Sequence, residues 1–136
     1  MPSRRRVVID TNCLVSRILL GDTISARAVD EAVERGILLV SEATMEELAD
    51  VLARTKFDRY VTMEDGRQFL RFIGRVAEYV PIIYSVGECR DPKDDKFLEV
   101  AINGKADCIL TRDRDLLTMN PWRGVEILAP SGYLNR

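Results

Sequence analysis

The chain contains no histidine among its 136 residues. That absence removes Ser-His-Asp and Cys-His nucleophile systems, zinc sites built on imidazole, and imidazole acid–base chemistry. Cysteine is scarce as well: Cys13, Cys89 and Cys108 are odd in number and form no Cys-x-x-Cys pair. Neither a disulfide framework nor a thiolate zinc site is expected, and a reducing cytoplasm suits this pattern. No apolar run approaches the roughly 18 to 20 residues of a membrane span. No signal-peptide pattern follows Arg4-Arg5-Arg6, which runs straight into an apolar segment. There is no Gly-x-Gly-x-x-Gly and no glycine-rich phosphate loop, which weighs against nucleotide binding. Lysine is rare too. Of the 20 basic residues only Lys56, Lys93, Lys96 and Lys105 are lysines, leaving 16 arginines. That bias favours phosphate recognition over generic solubility. With a net charge of −2, any affinity for nucleic acid must come from local basic patches.

What is present is ordinary globular composition, 46% hydrophobic and 31% charged, which argues against disorder. The length suits a single domain, residues 1–136. Val7-Val8-Ile9 reads as a short strand with no polar face, as in a parallel sheet covered on both sides. A helix follows from about Cys13, broken at Gly21-Asp22. Ala26 to Arg35 reads as a second helix closed by Gly36. Ile37 to Val40 is a second apolar strand, and Ser41 caps a helix running to about Thr55. Phe57 to Val61 is a connector. Thr62-x-x-Asp65 opens a helix to about Tyr79, and Pro81 to Tyr84 is expected as a short strand. Asp91-Pro92 starts a helix ending near Gly104. Cys108 to Thr111 is the next strand, Asp113 to Leu117 a short helix, and Val125 to Leu128 a last strand stopped by Pro130. Strands alternating with helices indicate an α/β domain with a mainly parallel sheet.

Asp10 ends the first strand, where open α/β sheets place their ligands. In the helix after the second strand, Glu47 falls ~90° from the apolar centre and Glu46 almost opposite it. In the helix after Asp91, Asp94 projects toward the apolar side and Asp95 about 100° away. Asp94 is the preferred inward acid; reciprocal capping is the blander account of it. Asp113 again stands just past a strand end, and Asp115 reads more simply as a solvated turn acid. Gathered together, Asp10, Glu47, Asp94 and Asp113 would repel one another and carry raised pKa values unless a cation neutralised them. Oxygen-only ligands match Mg2+ or Mn2+.

Val7-Val8-Ile9-Asp10-Thr11-Asn12, Glu46-Glu47-Leu48, Arg90-Asp91-Pro92-Lys93-Asp94-Asp95-Lys96-Phe97-Leu98 and Ala106-Asp107-Cys108-Ile109-Leu110-Thr111-Arg112-Asp113 stand in this order. Over roughly residues 7 to 130 they resemble the PIN domain, the nuclease family that includes VapC-like toxins of toxin–antitoxin pairs. The resemblance implies a three-layer α/β domain with a central, mainly parallel sheet flanked by helices. It implies a metal-dependent endoribonuclease with Asp10, Glu47, Asp94 and Asp113 as metal-binding acids. Asp95 and Asp115 are extra candidates, with Asn12 and Thr111 in support. RNA as substrate, a homodimer and a small antitoxin partner are implied in the same way.

For substrate phosphate, Arg112 and Arg114 flank Asp113 and are the better candidates. Arg67, Arg71 and Arg75 form a stripe on the fourth predicted helix that reads first as a solvated face. Two rival functions remain at this stage. One is an aspartate-based phosphatase with Asp10 as nucleophile, although such enzymes usually resemble Asp-x-Asp-x-Thr and Asn12 occupies the second acidic position. The other is a catalytically silent PIN-like module that binds RNA or protein.

Overall fold

A computed structural model describes residues 4–19, 21–56 and 60–136. Part of the expected connector, Phe57 to Arg59, lies outside the described residues. The first apolar run forms β1 (Arg6–Ile9), followed without a linker by α1 (Thr11–Leu19) and then α2 (Ile24–Arg35). β2 (Ile37–Val40) leads into α3 (Glu42–Arg54), whose N-terminus is closed by a reciprocal capping box between Ser41 and Thr44. The same device, Thr62 with Asp65, starts α4 (Met63–Val76). β3 (Glu78–Tyr79) comes next, then a long loop and a 3-10 turn over Pro92–Asp94 that runs into α5 (Asp95–Asn103). β4 (Cys108–Leu110), α6 (Arg114–Leu117), β5 (Glu126–Leu128) and α7 (Pro130–Leu134) complete the order.

The five strands form one parallel sheet in the order β3-β2-β1-β4-β5. The chain builds outward from β1 to β2 and β3, then crosses back to place β4 on the other side of β1. The carboxyl ends of β1 and β4 therefore flank the point where the winding direction reverses, which is where such sheets open a crevice. Alternate residues of each strand feed two separate cores. Val7, Ile9, Leu38, Val40 and Leu110 pack against α1, α2, α3 and α4. Val8, Leu39, Ile109 and Ile127 pack against Phe97, Leu98 and Ala101 of α5 and Leu116 of α6. The three layers expected from sequence are present.

Two differences from expectation have clear physical causes. The strand expected at Pro81 to Tyr84 lies instead at Glu78–Tyr79, pairing Leu39 with Glu78 and Val40 with Tyr79. The helix before it stops at Val76, and the N–H of Val80 adds one more bond to Val40 O at 2.8 Å. Pro81 cannot donate, so the ladder ends there. The following backbone is held by a side chain: Asn103 Oδ1 accepts from the N–H groups of Ile83 and Tyr84, both at 2.9 Å. Pro130 does stop β5, but it also sits in the first turn of α7, which the sequence reading did not anticipate. No helix among the described residues is long and apolar enough to cross a membrane.

Candidate metal centre

Asp10 is 5% exposed at the end of β1. Both of its oxygens are engaged: Oδ1 accepts from Cys13 N–H at 2.9 Å, and Oδ2 accepts from the Thr111 hydroxyl. Burial pushes its carboxyl up, against the pull of these hydrogen bonds, and the Asp113 charge adds to the rise. Thr111 is fully buried just beyond β4, and its hydroxyl oxygen also accepts from Asp113 N–H at 2.9 Å. One threonine thus ties the end of β1 to the end of β4. Asp113 caps α6, its Oδ1 accepting from Asp115 N–H at 2.8 Å.

Asp94 faces this pair from the start of α5. Its carboxyl is pushed up to about 7, first by burial, then by hydrogen-bonding contact with Asp113 and the charges of Asp113, Asp91 and Asp10. Its Oδ2 is buried and meets no hydrogen-bond donor among the described residues. On the outer side, Asp91, Asp94 and Asp115 bring carboxylate oxygens within 4.8 Å of one another. Oxygens on one cation are separated by at most about twice the metal–oxygen distance, roughly 4.2 to 5 Å. Donor type, spacing and the orphaned Asp94 oxygen all fit a hard divalent cation, which would offset the mutual repulsion of these acids.

The remaining sequence candidates fall around this centre. Glu46 is exposed, as the helical phase requires, and Glu47 is half-buried. Glu47 Oε1 lies 2.7 Å from Lys96 Nζ, and its Oε2 accepts from the hydroxyl of Thr11, the residue after Asp10. It stands at the edge of the cluster with its charge already balanced. Asp95 points elsewhere: its Oδ1 accepts from Cys89 N–H at 2.8 Å and Glu88 N–H at 3.2 Å, pinning the loop before the 3-10 turn. Asn12 is exposed at the start of α1, and Arg114 is exposed on α6. Arg112 is exposed too and lines a surface groove with Ser25 and Ser131, near the starts of α2 and α7. Arg67 and Arg71 pair with Glu64, in keeping with a solvated face.

The sequence and the fold have counterparts among known proteins. A family model described as "PIN domain" matches residues 6–115. The chain belongs to the PIN domain family. An uncharacterized protein of Methanocaldococcus jannaschii is 29% identical over 116 residues, spanning 84% of this chain and 74% of that protein. The fold is similar to the crystal structure of VapBC2 from Rickettsia felis bound to a DNA fragment from their promoter. That match has a TM-score of 0.65 and 14% identity, over 91% of this chain and 98% of that one. The likeness is one of fold.

Within this PIN domain, sequence reasoning accounted for Asp91 as a cap and left it out of the acid set. It does cap, with Oδ1 accepting from Lys93 N–H at 3.0 Å, yet its carboxylate still faces Asp94 and Asp115. The density of Asp91, Asp94 and Asp95 on one short segment was the available signal. Thr111 joins the two strand ends in a way that invites a test. Thr111→Val keeps the shape but strips the donor from Asp10 and the acceptor from Asp113 N–H. A loss of about 1 to 3 kcal/mol in denaturant-measured stability is expected for groups left unpaired in this way. Divalent-cation affinity measured by calorimetry should fall by about 10- to 100-fold.

Proposed function

We propose that this protein is a metal-dependent endoribonuclease and the toxin half of a toxin–antitoxin pair. The observation that carries the reading is Asp94: an acid pushed up to about 7 beside Asp113, grouped with Asp91 and Asp115, and with a buried oxygen lacking a donor among the described residues. In this reading Asp10, Asp94 and Asp113, which act on one another's charge, are the inner acids; Asp91 and Asp115, whose oxygens lie near those of Asp94, are the outer ones; and Glu47 stands in reserve beside Lys96. Mg2+ or Mn2+ held there supplies charge neutralisation at a scissile phosphate and lowers the pKa of water. The chain's own part is to hold the acids in place through Thr111, Cys13 N–H and the α6 cap, with no protein nucleophile. Exposed Arg90, Lys93, Arg112 and Arg114 stand near the acids in sequence and offer phosphate contacts. The two-component nature of the VapBC2 assembly supports a protein partner, and the family resemblance supports RNA and a homodimer in a cytoplasmic setting.

The phosphatase reading is weaker. Asp10 is only 5% exposed, and Asn12 stands where such enzymes usually carry a second acid. The silent binding module shares every feature of the enzyme except turnover. Incubation of a mixed panel of single-stranded and structured RNAs with Mg2+, Mn2+ or EDTA separates the two. Cleavage in metal and none in EDTA is the expected result; tight RNA binding without cleavage in either metal would favour the module.

A further inference from the structure

At the other end of the sheet, roughly 16 Å from Asp10 along β1 and its flanks, lies a cavity of about 450 Å3. Arg4, Arg5, Arg35 and Arg136 line it, together with Glu31 and Tyr133. These guanidinium groups come from three places: the approach to β1, the last turn of α2, and the residues after α7. Their carboxylate partners are fewer. Arg5 and Arg136 share a single oxygen, Glu126 Oε1, at 3.2 and 2.5 Å. Arg35 stands 3.7 Å from Glu31 and is largely exposed, and among the described residues Arg4 donates only to a carbonyl, Gly36 O, at 2.5 Å. Arg5 Nε is buried without an acceptor among the described residues. Among the described residues, four cations against two side-chain carboxylates, with one buried N–H unsatisfied, leave both charge and donors over.

We propose that this cavity is a second anion site, taking a phosphate-type oxyanion. A carboxylate is served by one guanidinium fork, whereas a phosphate presents several acceptor oxygens and up to two charges to forks arriving from different sides. The phosphate is either free, as inorganic phosphate or a small phosphorylated molecule, or part of an RNA backbone lying across this end of the sheet. The site stands on its own residues and does not depend on the ribonuclease reading.

The test uses the full chain in EDTA, so that the acid cluster takes no part. Inorganic phosphate is titrated against chloride at matched ionic strength, following the arginine Nε–H resonances by NMR. Saturable binding with a shift of the Arg5 Nε–H signal is expected. Arg35→Gln, at an exposed position, should weaken phosphate at least tenfold, and Glu126→Gln should tighten it several-fold by releasing Arg5 and Arg136. Arg67→Gln on α4 should change nothing. A parallel titration uses a cleavage-resistant 2′-O-methyl RNA oligonucleotide. Weakened oligonucleotide binding in Arg35→Gln, with competition by phosphate, assigns the site to backbone phosphate; unaltered oligonucleotide binding alongside lost phosphate binding assigns it to a free one. Phosphate binding no stronger than the chloride control, or equal in wild type and Arg35→Gln, would overturn the proposal.

Discussion

Asp94→Asn is expected to lose about three orders of magnitude in metal-dependent RNA cleavage, while Asp95→Asn stays within about tenfold of wild type. Three orders of magnitude correspond to about 4 kcal/mol of transition-state stabilisation, within the several kcal/mol that a correctly held cation supplies. The two aspartates are neighbours in sequence and differ in every contact. Asp94 faces Asp113 and carries a buried oxygen with no donor among the described residues, so its charge suits a cation. Asp95 spends one oxygen on two backbone N–H groups of the preceding loop. An asparagine can keep its own carbonyl oxygen on those two donors, so Asp95→Asn retains most of that anchoring. Asp10→Asn should match Asp94→Asn in lost cleavage, because both belong to the inner group. Single-turnover cleavage of one RNA with the three variants checks the ranking. Greater loss in Asp95→Asn than in Asp94→Asn would overturn the assignment of the inward acid.

The parts of this architecture that the sequence made legible are those governed by local rules. Ile37 to Val40 could be bounded to the residue because Gly36 and Ser41 mark its ends on either side. Glu46 and Glu47 sorted correctly into exposed and half-buried because helical phase is a local property. Asp91, Ser41 and Thr62 announced helix starts through residue type alone. What escaped was set by distant partners. The edge strand was displaced to Glu78–Tyr79 because pairing to β2, not the apolar run after Pro81, decides where a strand forms. Lys96 neutralising Glu47 links two helices 49 residues apart, and no spacing rule reveals it. Arg112 adjoins Asp113 in sequence, and the groove it shares with Ser25 and Ser131 is assembled from segments more than 80 residues apart in the case of Ser25, which no local rule reveals. The candidate site was therefore visible as a set of acids, and its internal division was not.

That division carries a consequence for pH. The folded protein holds the Asp94 carboxyl at about 7, against 3.8 for an unperturbed aspartate. Between those values the folded chain keeps a proton that the unfolded chain has released, so protonation at Asp94 favours folding and the benefit is lost as pH rises. The contribution is fully present below about pH 4 and gone once pH has passed through about 7. Buried Asp10 shifts in the same direction. Metal-free wild type compared with Asp94→Asn isolates the effect: the variant should gain stability over wild type at pH 7.5 and gain little at pH 5. A divalent cation reverses the trend, since it needs the ionised acids and displaces the proton. Mn2+ at 100 times its dissociation constant should add about 2.7 kcal/mol to wild type at pH 7.5. The same concentration should add far less at pH 5, where the proton competes for Asp94. Thermal unfolding at the two pH values, with EDTA or Mn2+, reads all four states. An equal Mn2+ stabilisation at both values, or one that survives intact in Asp94→Asn, would place the cation away from this carboxyl.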